Sequence, residues 1–412
     1  MSWFPPVGQS PQDGWRFDIV SLLAIIGEST LEGHVQIITA SSFAWLPRLL
    51  PAPQTVLKTE RPARLPPVKD VVIVGVRSGI YLTELNFFAD IIHDVASLQD
   101  FEFQVYEIDY AKKGPRELEE TGPRKWTWSN QKLEPVYVPV KKLCALNVVI
   151  WVSVFMTIGL FIWAGLIHDG VAMIALVTMS LSTSLACLSS EWYPVLSHRP
   201  TTARVPRGDI VISTRNGAFV VVKCSEEITR ELYGGTEKCR YVFGETWHRI
   251  LLGTSTVLLM ASVLLFSNCG WTMQAAIGIA YIILNILYWA VPLVMHRKST
   301  WDMSRYEIKS RVVKPRSDSC EGPSSYTETL WYAIRETERT DWVINGKLAP
   351  SSEAWRKWLD EARDNCHPGS KWDAVAAKNR LMHEAAQDSH QLPTAAPSLD
   401  EAPRSSGEKS SS

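Results

Sequence analysis

Three long stretches of this chain carry no Asp, Glu, Lys or Arg: residues 143–167, 171–190 and 250–295. Soluble helices rarely stay uncharged all round over such lengths, so the pattern points to a membrane rather than to a soluble core. Other absences narrow the function. The 412 residues hold 42 basic and 43 acidic side chains, so no basic surplus calls for nucleic acid as a partner. The seven cysteines are odd in number and never spaced as CxxC, which argues against a zinc module or a disulfide scaffold. No Asn-x-Ser/Thr sequon occurs, and the first 20 residues lack the basic and apolar regions of a cleavable signal. No G-x-S-x-G, HExxH or Walker motif is present, and nothing in the sequence assembles a nucleophile, a base and an orienting group. Catalytic, cofactor-binding and metal-binding residues are therefore not nominated, and an enzymatic reading ranks last.

What is there is topology. Residues 144–167 and 171–190 each supply the roughly 20 apolar residues that a spanning helix needs. The run 250–295 would extend ~69 Å as one helix, over twice the bilayer core, and must reverse. Asn268-Cys269-Gly270-Trp271 is the natural reversal, leaving spans near 250–268 and 272–295, and His168-Asp169-Gly170 serves the first pair. Neither turn has a Lys or Arg, whereas Lys141, Lys142, nine cations within 191–249, and Arg297 and Lys298 flank the other helix ends. The positive-inside rule then places the N-terminus, the middle segment and the C-terminus in the cytoplasm. The expected fold class is an α-helical membrane protein, four transmembrane helices as two hairpins, with small α+β cytosolic regions. Trp192, Trp247, Trp271 and Trp301 fall near the interfaces, as an aromatic belt requires. Ile19–Ile26 is broken by Glu28, Glu32 and His34 and reads as a cytosolic or interfacial helix.

Outside the spans, 1–143 reads as an N-terminal cytosolic α/β region. After a Pro-rich linker (51–67) come the strand VVIVG, a helix in which Phe88, Ile91, Ile92 and Val95 share a face opposite Glu84, Asp90 and Asp94, and the alternating strand FEFQVYEID. His93 falls on the polar face, where it is solvated. Gly75-Val76-Arg77-Ser78-Gly79 lacks the GxGxxG spacing and reads as an ordinary turn. The segment 191–249 reads as a cytosolic β-hairpin/helix domain. DIVISTR and AFVVVKC flank Asn216-Gly217, which predicts a type I′ turn; SEEITRELYGG is a short helix capped by Ser225, and RYVF is a third strand. Residues 296–388 form a C-terminal cytosolic helical region with helices in SSEAWRKWLDEAR, which carries a tryptophan face, and DAVAAKNRLMHEAAQ; 389–412 is a Ser/Pro/Ala/Glu-rich tail without the apolar area to order itself. The first hairpin occupies 144–190 and the second 250–295.

The spans hold no charge that would mark a transport path. Asn147, Gln274, Asn285, the hydroxyls Ser180, Ser182, Thr183 and Ser184, and the small-xxx-small pair Ala276/Ala280 suit helix–helix packing better than a pore.

The stretch VPRGDIVISTRNGAFVVVKCSEEITRELY, the run MQAAIGIAYIILNILYWAV, WDMSRYEIK, LWYAIRETERTDWV and APSSEAWRKWLDEA together resemble a family of uncharacterised multi-pass membrane proteins of filamentous ascomycete fungi, over roughly 70–385. The resemblance implies an integral membrane protein and an association with secondary-metabolite pathways, and brings no active-site residues or cofactors. The leading expectation is a membrane-anchored scaffold or adaptor, its partners being the lipid bilayer and a cytosolic protein docked on 209–243 or 351–364. An oligomeric small-solute channel or transporter is the alternative.

Overall fold

The computed structural model describes residues 31–58, 60–111, 136–197, 205–235, 237–294, 300–316, 322–367, 370 and 372–391. The Ile19–Ile26 segment, and the tail from 392 onward, lie outside the described residues.

Before the first long helix come α1 (Val35–Ala40), β1 (Val71–Gly75), β2 (Tyr81–Leu82), α2 (Phe87–His93), β3 (Phe103–Tyr110) and β4 (Val136–Tyr137). Two long helices follow, α3 (Ala145–Leu166) and α4 (Gly170–Ser189), then β5 (Trp192–Leu196), β6 (Ile210–Thr214), β7 (Phe219–Cys224) and β8 (Lys238–Tyr241). The second long pair is α5 (Glu245–Phe266) and α6 (Trp271–Val294), after which come β9 (Tyr306–Val313), α7 (Tyr326–Thr337), α8 (Glu353–Asn365) and α9 (Ala374–Gln391).

Helices α3, α4, α5 and α6 are each long and apolar enough to cross a membrane. α5 starts five residues earlier than the charge-free run, at Glu245: Gly244, three residues past β8, is the extended N-cap, and the Glu245–Arg249 pair (3.0 Å) covers the first turn. α5 packs along α4, α6 along α3, and α3 touches α4. Outward lie Phe155, Ile162, Val177, Met260, Leu264, Ile286 and Leu293, all exposed, an apolar perimeter that water would penalise and lipid would not.

The remaining strands form a six-stranded sheet in the order β2-β1-β6-β7-β3-β9, in which only β3 and β7 are parallel, and a three-stranded sheet β4-β5-β8. β1, α2 and β3 do make the β-α-β unit expected, but the β6–β7 hairpin is inserted between its two strands, in register Ile73↔Ile212 on one side and Val105↔Val221 on the other. The hairpin is thus no separate domain between the spans. It is the centre of a sheet contributed by all three segments outside the spans. RYVF belongs instead to the small sheet, where Tyr241 pairs with Trp192.

Alternation along these strands feeds two cores. Ile73, Ile210, Ile212, Val220, Val222 and Ile108 face a cluster that runs on into Leu146, Val149, Ala186, Tyr288 and Val291 of the long helices. Val74, Val105, Val211, Phe219 and Val221 share a cluster with Leu330 of α7, Trp358 and Leu359 of α8, Leu381 of α9, and Trp342 between α7 and α8. Burial on both faces explains why IVIS and FVVV read as unbroken apolar runs. The turn between β6 and β7 differs from type I′. Gly217 alone takes positive φ (75°), and its N–H bonds Thr214 O (3.1 Å), which makes a three-residue loop, Arg215–Gly217, with a bulge at the glycine. Gly217 is also needed for room: a Cβ there would sit 3.0 Å from the Phe101 ring.

Two of the four belt tryptophans are core residues. Trp192 donates to Gln36 O (3.0 Å) and lies tilted against Trp301, which in turn packs edge-on with Phe87 and Phe88. Trp247 and Trp271 are exposed.

Candidate functional site

The interior of the four-helix bundle is the first place to look, and its polar groups are mostly engaged. Ser182 and Ser255 exchange bonds across α4 and α5, Ser182 Oγ to Ser255 O at 2.7 Å and Ser255 Oγ to Ser182 O at 2.8 Å. Thr183 and Ser184 bond back to carbonyls one turn earlier, whereas the buried Ser180 hydroxyl has no partner. Ala276 and Ala280 are buried in a cluster with Leu160 and Ala164, the close contact that small residues permit. At one end of the bundle both helix reversals meet on a single side chain. Asp169 Oδ1 accepts from Ala172 N (3.0 Å) to cap α4, and Oδ2 accepts from Gly270 N (2.8 Å) in the other turn. Gln274 Nε2 closes that second turn on Cys269 O at 3.0 Å.

The opposite end is entered by chain from the N-terminal region, just ahead of the Pro-rich stretch 51–67. Ser41 Oγ donates to Asn147 Oδ1 (2.7 Å), Leu49 N donates to Thr157 Oγ1 (2.9 Å), and Ser153 Oγ donates to Leu49 O. Thr157 lies 12 residues beyond Ala145, ~18 Å along α3 and about half a bilayer core. Leu49 there packs with Leu176, Met179 and Leu284. Non-helical backbone survives among apolar helices only where its N–H and C=O are bonded, and the two α3 hydroxyls do this for Leu49. The segment therefore plugs the bundle from one side.

It also brings a charge. The spans themselves lack one, but Arg48 is 0% exposed and sits against Cys187 of α4 and Tyr288 of α6. Its Nη1 donates to Ala44 O (3.0 Å), Leu46 O (3.1 Å) and Phe43 O (3.4 Å), and its Nη2 reaches Cys187 Sγ at 3.8 Å. The runs 143–167, 171–190 and 250–295 carry no charge of their own; the guanidinium arrives from outside them. The available signal was residues 33–57, an apolar stretch in which Arg48 is the lone charge, set between Pro47 and Pro51.

A second polar cluster lies under the sheet. The helix begun at Ser225, whose Oγ accepts from Ile228 N, continues as a π-helical turn over Thr229–Gly234. That turn points Glu231 inward, where its carboxylate, wholly buried, accepts from Tyr110 (2.9 Å) and Tyr306 and pairs with Arg305 at 3.4 Å. Burial and the neighbouring Glu231 charge hold both phenols above their ordinary range. His93, expected in solvent, is buried and shares a 2.6 Å hydrogen bond with Tyr233, because α2 is covered on its second face by the π-turn. Asp90 is buried for the same reason. Glu237 is the least satisfied member of this region. One carboxylate oxygen accepts from Phe87 N (3.2 Å), the other has no partner, and burial pushes its pKa up to about 7. Burial likewise lifts the Cys224 thiol to about 12, which makes it a poor nucleophile. The Gly75–Gly79 turn leads into β2, so no helix N-terminus stands behind it to receive a phosphate.

The two segments expected to dock a partner spend their apolar surface inside the fold. Ile210–Ser213 and Phe219–Val222 are buried, leaving Arg215 and Asn216 exposed at the turn. On α8, capped by Ser352, Trp358 is 0% exposed and donates to Ala374 O (2.9 Å), with Trp331 and Trp372 beside it. The polar face of that helix, Glu353, Arg356, Lys357 and Asp360, stays exposed. α7, which begins four residues before the stretch LWYAIRETERTDWV and ends inside it, supplies the packing partner.

Set against known proteins, the chain is matched by no family model, no curated protein and no solved structure.

Proposed function

We propose that this protein is a membrane-anchored scaffold, in which two helical hairpins hold a rigid α+β body against the cytoplasmic face, with both termini cytoplasmic. The observation that carries the reading is the plug: the segment around Leu49 enters the bundle and is bonded halfway along α3, so among the described residues packed chain occupies that end of the four helices. The continuous core from the sheet into the helix ends supports it further, since a body welded to its anchor is held at a set height and orientation. The topology draws on Asp169, which ties the two cation-free turns together, and on the cations gathered at the other helix ends. The resemblance to fungal multi-pass proteins is compatible with an accessory role beside a secondary-metabolite pathway.

The partner surface is the exposed polar face of α8 within 351–364. Deleting Asp209–Phe243 would remove the centre of the sheet, so the test uses Arg356→Glu with Lys357→Glu in the full chain, followed by proximity labelling. Loss of specific labelled neighbours with an unchanged unfolding temperature is expected; an unchanged set refutes the surface. The alternative of a small-solute conduit draws on the intramembrane guanidinium of Arg48. Solute flux through liposomes containing the purified protein would overturn the scaffold reading.

A further inference from the structure

We infer that the free edge of β9 is a docking site for an extended, acidic segment of a cytosolic partner protein, which adds to the sheet as a further, antiparallel strand.

The two edges of the six-stranded sheet are unlike. β2, at one end, is two residues long and leaves little backbone to pair with. β9, at the other, runs eight residues, and pairs along all of them with β3 in unbroken register from Tyr110↔Tyr306 to Phe103↔Val313. It holds no proline and no bulge. The phase of its hydrogen bonds is set by Ala111 N, which donates to Arg305 O at 2.9 Å in the next pair of the same register. Bonded pairs alternate in an antiparallel ladder, so Glu307, Lys309, Arg311 and Val313 are the residues bonded to β3. The N–H and C=O groups of Ile308, Ser310 and Val312 therefore point away from the sheet, and among the described residues nothing bonds them. All three residues are exposed.

The side chains choose the occupant. Ile308 and Val312, 37% and 46% exposed, stand on one face of the strand, and Lys309 and Arg311 on the other. Residues 305–316 carry five cations against Glu307 alone. Lys309 meets Glu307 at 3.4 Å and Arg311 meets Glu336 of α7, but both cations stay more than half exposed, and such pairs are weakly held. A strand laid antiparallel on this edge sets each side chain on the same face as the β9 residue opposite it. Carboxylates opposite Lys309 and Arg311, alternating with apolar residues opposite Ile308 and Val312, complement it. A second copy of β9 does not: two-fold pairing that uses all three open positions centres on Ser310 and puts Lys309 opposite Arg311 on both sides of the axis. In strand addition of this kind, backbone bonds give affinity and alternate side chains give specificity. The inference deepens the scaffold reading and rests on it for a cytosolic partner; peptide binding at β9 and labelling at α8 read different surfaces, so either can fail without the other.

The test uses the full-length protein in detergent and short labelled peptides of alternating valine and glutamate, followed by fluorescence anisotropy. Methylating the glutamate nitrogens keeps the donors that face β9 and prevents peptide from stacking on peptide; methylating the valine nitrogens removes the donors that face β9. Saturable binding of the glutamate-methylated form alone is expected, with its lysine-for-glutamate counterpart bound about tenfold more weakly. Ser310→Pro removes the central outward donor, a change that an edge strand accommodates, and should weaken binding about tenfold while the unfolding temperature stays near that of the parent. Lys309→Glu should shift the preference toward the lysine peptide. If Ser310→Pro does not fold, the two methylated forms decide alone. Equal binding of the two forms, binding of the valine-methylated form alone, or a charge preference unchanged in Lys309→Glu overturns the inference. Self-association of the protein that Ser310→Pro abolishes would also overturn it, by giving the edge to a second copy.

Discussion

Replacing Glu237 by Gln should stabilise the protein at pH 8 and leave it nearly unchanged at pH 5. Glu237 is 2% exposed, accepts one bond from Phe87 N, and leaves its other oxygen without a partner. The nearest compensating charge, Arg64, is already engaged by Asn86 at 2.8 Å and Glu84 at 3.4 Å. Burial therefore dominates and raises the carboxyl from 4.5 to about 7. The sign follows from proton counts. Between these two values the folded state binds more protons than the unfolded one, so stability is complete below the unfolded value and falls as pH rises through the folded one. At ~1.4 kcal/mol per pH unit, the gap of roughly 2.5 makes the ionised residue cost about 3 kcal/mol above pH 7. Gln keeps the oxygen that serves Phe87 N and carries no charge at any pH. For a chain this long, that energy is on the order of 3–6 °C in unfolding temperature. The assay is tryptophan-monitored unfolding of parent and variant in the same detergent at a fixed scan rate, from pH 5 to pH 8. A difference between variant and parent that stays constant across this range would refute the reasoning, since it would show that Glu237 does not titrate there.

Further outcomes are expected from substitutions at Asp169, Trp358 and Gly217. Asp169→Ala removes acceptors from Ala172 N and Gly270 N together and should cost about 1–2 kcal/mol, read as a lower unfolding temperature; Asp169→Asn, which keeps one oxygen, should recover part of it. Trp358→Ala opens a cavity in the core between the sheet and α7–α9 and should cost about 3–5 kcal/mol, with proteolysis in the C-terminal region accelerated before the long helices are affected. Gly217→Ala meets both a φ of 75° and the Phe101 ring at 3.0 Å, so about 1–2 kcal/mol of destabilisation is expected by the same unfolding measurement, and Phe101→Ala in the same chain should relieve only the steric part.

Among the long helices, local composition was enough. Charge-free runs of spanning length, a turn at His168–Gly170 and another at Asn268–Trp271 are properties of contiguous residues, and the helices fall within a few residues of where those runs place them. The caps were similarly legible: Ser225 and Ser352 each accept the backbone bond that their position before a helix implies. The Asn216-Gly217 hairpin was readable as a hairpin but not as a turn type; its loop is held by a distant residue, Phe101, whose N–H donates to Asn216 O (3.3 Å) and whose ring stands against Gly217, contacts that no neighbouring residue announces.

What the amino-acid order alone determined is therefore whatever one helix or one turn can settle with its own residues. Only the tertiary structure decided that β6 and β7 would be threaded between β1 and β3, that His93, Trp192 and Trp301 would be covered, and that Arg48 would enter the bundle. Each of these pairs segments tens to more than a hundred residues apart, and the free energy that selects them, shared burial of faces and mutual satisfaction of backbone groups, exists only once the partners have met.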